Sequence, residues 1–430
     1  MNSPVWSLLS PECVPVAANP LPSSADVVVV GAGLTGLSCA YHLLAVNPGL
    51  SVVVLDARHP GSGASGQTTG MVTPGVGQDF AALVRRLGLD RAGSLYAETR
   101  EAVKQVGAIV AAEGINCDHE QVGQLVVAHG EHGEARLLRQ AAALKAAGQP
   151  CIPLDAAGLA ARVNLSGIGN IPATAALFLP DAAMVDPLKL VRGLVRVIEA
   201  RGGCVQGGAS VETLTDGAEP VLHLAGGRNL KAGKIVLATA WQAPRLASLT
   251  GRIIPLSLKV LATAPLSVAQ LAVLGWSGRE CIVDSRKLFN YFRLTSDNRI
   301  VFGGGSPAYG PDATPDFSDL ARELRERLPT GVEPAISHRW SGTIDYTLDG
   351  QPIVGPVLSS GNVFHAGGFC GHGIALGMRA GRWVAEAIAA APGRSFHHAA
   401  FRDTAPLVPG EWLRRSCFAI ASGWMRLRGV

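Results

Sequence analysis

Three glycines, Gly31, Gly33 and Gly36, follow a run of four valines, and Asp56 stands about 20 residues further on, at the end of a second apolar run. Residues of these types at this spacing bind a dinucleotide. The valine run reads as a strand buried on both faces. Gly31 permits the tight turn, Gly33 lets a pyrophosphate approach the backbone, and Gly36 lets the next helix pack close to the strand. Residues 37–46 read as that helix, its N-terminus facing the phosphates. Asp56 would accept both ribose hydroxyls, which favours NAD or FAD over a 2′-phosphorylated dinucleotide.

The elements that position these residues begin with one βαβ unit over 25–57. The loop after it, Gly61 to Pro74, holds four glycines among small hydroxyl residues. Such a loop lets backbone approach something closely. Residues 80–112 are helical by periodicity, 122–127 a strand and 133–147 a helix. Pro187 is a favourable first helical residue, and the helix 188–201 ends at Gly202 and Gly203. Strand signals follow at 207–214, 221–224 and 234–238. Residues 253–263, 282–284, 288–294 and 299–303 alternate as an antiparallel sheet would, and 316–328 is a helix. The segment 363–374 runs from a strand through Gly367, Gly368, Gly371 and Gly373 into a helix reaching about residue 391.

Parallel-type elements at both ends and antiparallel ones between them imply an α/β protein, α+β overall. A Rossmann-like cofactor domain (25–90, 181–245 and 340–391) is interrupted by an antiparallel-sheet substrate domain (91–180 and 246–339). Met1 to Ser24 reads as an extended Pro-rich arm, and 392–430 as a tail with an amphipathic helix. That helix, 411–430, suits docking against the body better than lying on a membrane surface.

A net charge of +4 over 430 residues, with no Lys/Arg block, argues against a nucleic-acid partner. Eight cysteines are scattered without CxxC or Cys/His metal spacing, so no metal is expected and a reduced, cytoplasmic setting is. No apolar run approaches the roughly 18 residues that span a bilayer.

Together the Gly31/Gly33/Gly36 motif, Gly63-Ala64-Ser65-Gly66, Leu237 to Trp241 and Gly368 to Gly373 resemble the FAD-dependent amine and amino-acid oxidase family. The arm ahead of the first strand looks most like its gamma-glutamylputrescine oxidase branch. The resemblance implies that Gly31, Ala32, Gly33, Leu34 and Thr35 contact the pyrophosphate, with Asp56, Ala57 and Arg58 at the ribose. Ser62, Gly63, Ala64, Ser65 and Gly66 would run beside the isoalloxazine and ribityl chain. Val211 would meet the adenine, and Thr239, Ala240 and Trp241 would lie near the pyrophosphate. Gly342 to Asp345, Gly371, His372, Gly373 and Ile374 would line the flavin ring.

A glycine-rich turn into a helix presents N–H groups, which would stabilise negative charge on reduced flavin. His372 is a candidate donor to that charge, or a hydrogen-bonded structural His. Asp345 is a candidate partner for a substrate ammonium, or a carboxylate capping a turn. Arg293 and Arg339 are candidate clamps for a substrate carboxylate, or partners of surface acids. Lys259 is expected in solvent, and His365 is expected to be structural. Gly342 stands where some family members carry a flavin-linked Cys, so non-covalent FAD is expected; Cys370 is read as a buried small residue.

The resulting expectation is an oxidase that passes a hydride from a C–N substrate, an amine or amino acid, to FAD and electrons on to oxygen. Three alternatives stand: a dehydrogenase using a quinone or protein acceptor, a FAD-bearing subunit without turnover, and an NAD-dependent enzyme.

Overall fold

The structure is a computed structural model. It describes residues 3–9, 21–168, 171–247, 249–286, 288–311, 316–390, 402, 404–416 and 418. Two eight-stranded sheets carry it.

In the first sheet, Ser24–Val30 lies between Val52–Leu55 and Asn229–Leu237, both parallel to it, with Cys204–Gln206 beyond Val52–Leu55. Val363–Gly367 runs parallel to Asn229–Leu237 and brings Leu237 opposite His365. The valine run is buried on both faces. Val27 and Val29 join one core cluster, and Val28 and Val30 the other. Helices Leu34–Val46, Leu89–Ala112, Pro187–Ala200 and Ala375–Ala389 cover the first of these faces. Two of them meet closely because Gly377 and Gly381 face Thr35 and Cys39; a Cβ on Gly381 would lie 2.5 Å from Thr35 O. Pro187–Ala200 starts where Asp186 accepts hydrogen bonds from the N–H groups of Leu188 and Lys189.

The second sheet runs Ile336–Tyr346, Ile254–Thr263, Ile300–Tyr309, Asn290–Leu294, Cys281–Asp284, Gln124–His129, Ala173–Leu179 and Ile152–Asp155. One face, with Leu125, Leu261, Ile282, Phe292 and Phe302, packs under helices Val268–Leu274 and Ser318–Arg327. The other face carries Val260, Ala262, Val301 and Trp340, which meet Val5, Trp6 and Leu188.

Several expectations change. The sheet expected to be antiparallel contains one parallel pair, Cys281–Asp284 with Gln124–His129. The helix expected over 80–112 breaks at Gly88, whose φ of +79° no helix accommodates, into Phe80–Leu87 and Leu89–Ala112. The second piece, expected with the substrate part, buries Tyr96, Val103 and Val106 in the first core. Residues 340–346, expected with the cofactor part, continue an edge strand of the second sheet. The strand expected over 207–214 starts later, as Val211–Thr215, and a separate strand, Cys204–Gln206, precedes it.

The N-terminal segment is not wholly an extended arm, because Trp6–Leu9 forms a helical turn with Trp6 buried. Residues 10–20 lie outside the described residues. So does most of the tail. Within its described part Arg414 donates to Tyr309 Oη at 3.2 Å, and the Arg415 guanidinium sits 5.0 Å from the Tyr309 ring. No helix among the described residues is long and apolar enough to cross a membrane.

Candidate flavin site

The first strand ends in the Gly-rich turn expected to cradle the phosphates. Gly31 has φ of +110°, and a Cβ there would lie 2.5 Å from Ala238 O. A Cβ on Gly36 would lie 2.0 Å from Gly31 O, so that glycine is what lets helix and strand touch. The helix Leu34–Val46 has no side-chain cap at Gly33. Ser65 Oγ takes the Leu34 N–H at 3.0 Å, and the N–H groups of Thr35 and Gly36 have no partner within the helix. Ala32 N–H donates to Asp56 Oδ2 at 3.0 Å, and Arg58 N–H to Asp56 Oδ1 at 2.9 Å. Asp56 therefore ties the Gly-rich turn to the end of the second strand. Ala57 and Arg58 lie exposed beside it, and the Arg58 guanidinium holds Ser62 O at 2.9 Å. Val211 begins a half-exposed strand of the same sheet.

Two glycine-rich loops lie beside the start of helix Leu34–Val46, Ser65 of one against Leu34 and Phe369 of the other near Gly377, which faces Thr35. Ala64–Gln67 is a single helical turn. A Cβ on Gly66 would meet Gly61 O at 2.3 Å, and one on Gly63 would meet nothing within 4 Å. The other loop, 368–374, opens Ala375–Ala389, whose N-terminus has no side-chain cap. Gly371 has φ of +96° and open space at its Cβ position, and Gly373 contacts only Phe369 at 3.9 Å. Gly63 and Gly371 are thus the positions where a ligand can reach backbone. Ile374 is buried in the first core behind them.

Gly342 lies on the face of its strand that Trp340 also occupies, toward the 61–70 loop, and a Cβ there would meet the Gln67 side chain at 3.0 Å. A side chain at 342 would press on Gln67 by a few tenths of an ångström.

His372 is half-buried, its ring 3.3 Å from the Cβ position of Gly75 and its Nδ1 3.5 Å from Thr73 Oγ1. Burial lowers its pKa and keeps the imidazole neutral. Asp345 is buried; its Oδ2 accepts from Gly368 N–H at 2.5 Å, and its carbonyl takes Cys370 N–H. That geometry is a carboxylate capping the 367–370 turn. The Cys370 thiol is boxed in by Thr347 Oγ1 at 3.5 Å and Gly368 O at 3.3 Å, and burial pushes it up to about 12.

Three expectations about charged residues are corrected. Arg293 Nε donates to Thr69 O and Nη2 to Val185 O, each at 2.6 Å, and Nη1 to Leu294 O at 3.3 Å. Its guanidinium is spent on buried carbonyls and not available to a substrate. Arg339 stands opposite Leu261, on the face under the second cluster's helices, while Trp340 and Val260 take the face toward the flavin-side loop. Lys259 is buried, not in solvent, and donates to Asp319 Oδ1 at 2.5 Å and Asp316 O at 3.0 Å.

Whether FAD fits can be judged from polar atoms left over. His365 is fully buried; its Nδ1 bonds Leu237 O at 2.9 Å, so Nδ1 carries the proton and Nε2 is an acceptor without a partner. Thr239 Oγ1, at the end of the strand paired with it, is also buried and unpartnered, and Ala240 follows at φ of +49°, leading Trp241 into a 3₁₀ turn. Orphaned polar atoms at the carboxyl ends of two parallel strands, beside an uncapped helix, are what a bound dinucleotide would satisfy. The residues fit the cofactor. Among the described residues, no group of three or more His, Cys, Asp or Glu is placed to hold a metal.

Sequence reasoning missed the side chains that hold the flavin-side loop from behind, Trp6 and Trp340. A buried Trp with a polar edge needing a partner was the available signal.

The chain is 30% identical over 366 residues to gamma-glutamylputrescine oxidoreductase of Escherichia coli K12, covering 84% of this chain and 83% of that one. Its fold matches glycine oxidase from Geobacillus kaustophilus with a TM-score of 0.71 at 20% identity, over 85% of this chain and 95% of that one. L-proline dehydrogenase from P. horikoshii matches with a TM-score of 0.71 at 20% identity, over 86% and 94%. The family model described as DAO, FAD dependent oxidoreductase, matches residues 26–387, the span that contains both glycine-rich loops and the strands that position them, and the chain belongs to that family of FAD-dependent oxidoreductases.

Proposed function

We propose that this chain oxidises the C–N bond of an amine or amino acid and passes the electrons to oxygen, releasing hydrogen peroxide. FAD, when bound, accepts the hydride. The chain's own part is binding and orientation. Thr35 and Gly36 offer helix-end N–H groups to the pyrophosphate, and Asp56 orients the ribose. The uncapped turn at Gly371 to Ile374 offers donors to charge that develops on the ring. The His372 ring, held neutral, hydrogen-bonds Thr73 and Val76, so its part in this reading is to hold the 73–76 loop against the turn.

The observation that carries the reading is that loops 61–70 and 368–374, each with one glycine open to a ligand, both sit by the start of helix Leu34–Val46, within a chain of this family. Neither Arg293 nor Arg339 is placed to clamp a carboxylate, which supports an amine lacking an α-carboxylate as substrate. The similarity to the E. coli putrescine-derivative enzyme supports the same class.

The test is anaerobic mixing of the holoprotein with an amine and amino-acid panel, read by loss of flavin absorbance, then admission of air. Bleaching with an amine, followed by peroxide, is the expected result. Bleaching without peroxide in air would transfer the reading to a dehydrogenase with another acceptor. No bleaching with any panel member would count for a subunit without turnover.

A further inference from the structure

Three consecutive backbone carbonyls of the flavin-side loop are held by side chains from three separate parts of the chain. Trp340 Nε1 donates to Gln67 O and Trp6 Nε1 to Thr68 O, both at 2.8 Å. Arg293 Nε donates to Thr69 O at 2.6 Å. The next carbonyl, Gly70 O, receives Val185 N–H at 2.9 Å. Gly70 can be nothing larger, since a Cβ there would lie 2.2 Å from Val185 O and 2.5 Å from Arg293 Nη2.

Trp340 and Arg293 sit on strands of the second sheet. Trp6 comes from a single helical turn at the N-terminus, 62 residues before its partner. That turn is a wedge: Val5 and Trp6 are buried against Leu188, Val260 and Val301, whereas Ser7 and Leu8 are exposed. The Trp6 ring also lies 5.0 Å from the Arg293 guanidinium. Among the described residues no carboxylate forms an ion pair with Arg293; carbonyls and an indole face compensate its burial at contact distance, and Asp186 and Asp118 add longer-range support. Trp6 thus supports two of the three anchors, one by its own hydrogen bond and one by giving Arg293 a π face.

We propose that Trp6 is a positioning residue for FAD: the N-terminal wedge sets loop 67–70, and through it the Gly63 to Gly66 turn that faces the flavin. This rests on the reading that residues 62–66 border the flavin. Loss of the wedge leaves a buried carbonyl without a donor and a buried cation without its aromatic face. Both faults lie directly behind the cofactor loop, and the phosphate cradle is untouched.

The experiment compares full-length wild type, Trp6→Ala and Trp6→Phe as apoproteins. FAD affinity is read by flavin fluorescence, and loop opening by hydrogen exchange of the peptide covering 67–72. Trp6→Ala is expected to raise the FAD Kd about tenfold and to speed exchange in that peptide. Trp6→Phe keeps a ring under Arg293 but loses the N–H donor, and a rise of about threefold is expected. Wild-type FAD affinity in Trp6→Ala overturns the proposal, whatever its thermal stability. If Trp6→Ala does not fold, Trp6→Phe decides alone, and unchanged affinity with unchanged exchange overturns it. Asp56→Ala serves as the control for the affinity measurement: a raised FAD Kd there beside wild-type affinity in Trp6→Ala makes the failure that of the wedge, and unchanged affinity there would assign Asp56 to the turn alone.

Discussion

Asp345 Oδ2 lies 2.5 Å from the backbone nitrogen of Gly368, which joins the last residues of a second-sheet strand to the turn that opens the final helix. The contact couples the two sheets beside the 368–374 turn. It also puts a carboxyl in a fully buried position, where desolvation pushes its pKa up from 3.8 to about 6.

The direction of the resulting pH effect follows from linkage. The folded protein holds this proton more tightly than the unfolded chain, so Asp345 contributes stability that is fully present below about pH 4. That contribution is lost as pH rises to about 6, on the order of 3 kcal/mol in all. Asp345→Asn keeps an acceptor for Gly368 N–H and removes the titration. The stability difference between variant and wild type should therefore move in the variant's favour between pH 4 and pH 6, measured by apoprotein denaturation. A flat difference across that window would show that the carboxyl is not perturbed.

Asp56 holds Ala32 N–H and Arg58 N–H and is the expected ribose ligand. Asp56→Ala should raise the FAD Kd about tenfold or more, since hydrogen bonds to charged groups contribute about 1.5–3 kcal/mol. Titration of the apoprotein with FAD measures it. A change confined to thermal stability would assign Asp56 to the turn alone.

Flavin attachment is checked by acid precipitation. With the Cys370 thiol protonated and enclosed by Thr347 and Gly368, no thiolate is available for a thioether. The supernatant should turn yellow and the pellet stay colourless, and Cys370→Ala should retain the same flavin content. Colour in the wild-type pellet that disappears in Cys370→Ala would reverse this expectation.

Two arginines separate structural from substrate roles. Arg293→Lys keeps the charge but loses the fork that serves Thr69 O, Leu294 O and Val185 O, and should destabilise the apoprotein by about 2–4 kcal/mol. Arg339→Ala, on the face away from the flavin-side loop, should leave the KM of every substrate in the panel within about twofold of wild type; a change that small corresponds to less than about 1 kcal/mol. A KM rise limited to carboxylate-bearing substrates in Arg339→Ala would restore the clamp.

Much of this architecture was legible before any coordinates. The valine run, Gly31, Gly33, Gly36 and Asp56 encode their structure locally, because a tight turn, a close helix approach and a strand-end carboxylate each demand a particular residue type at a particular spacing. The 368–373 turn is readable for the same reason. What glycine is for is not local. Gly63 and Gly371 face open space, whereas Gly70 is glycine because Val185 and Arg293 press on it, and only the packing distinguishes the two cases.

The roles of Arg293, Arg339 and Lys259 also waited on tertiary structure. A side chain's partner depends on which face of a strand it occupies and on what covers that face. Register placed Arg339 opposite Leu261, helix Ser318–Arg327 brought Asp319 to Lys259, and an N-terminal tryptophan far away in sequence came to rest against Arg293. The amino-acid sequence by itself determined the cofactor cradle, whose chemistry is built into short spans of backbone. The folded chain decided which charges are free to meet a substrate, because that depends on contacts between segments separated by tens to hundreds of residues.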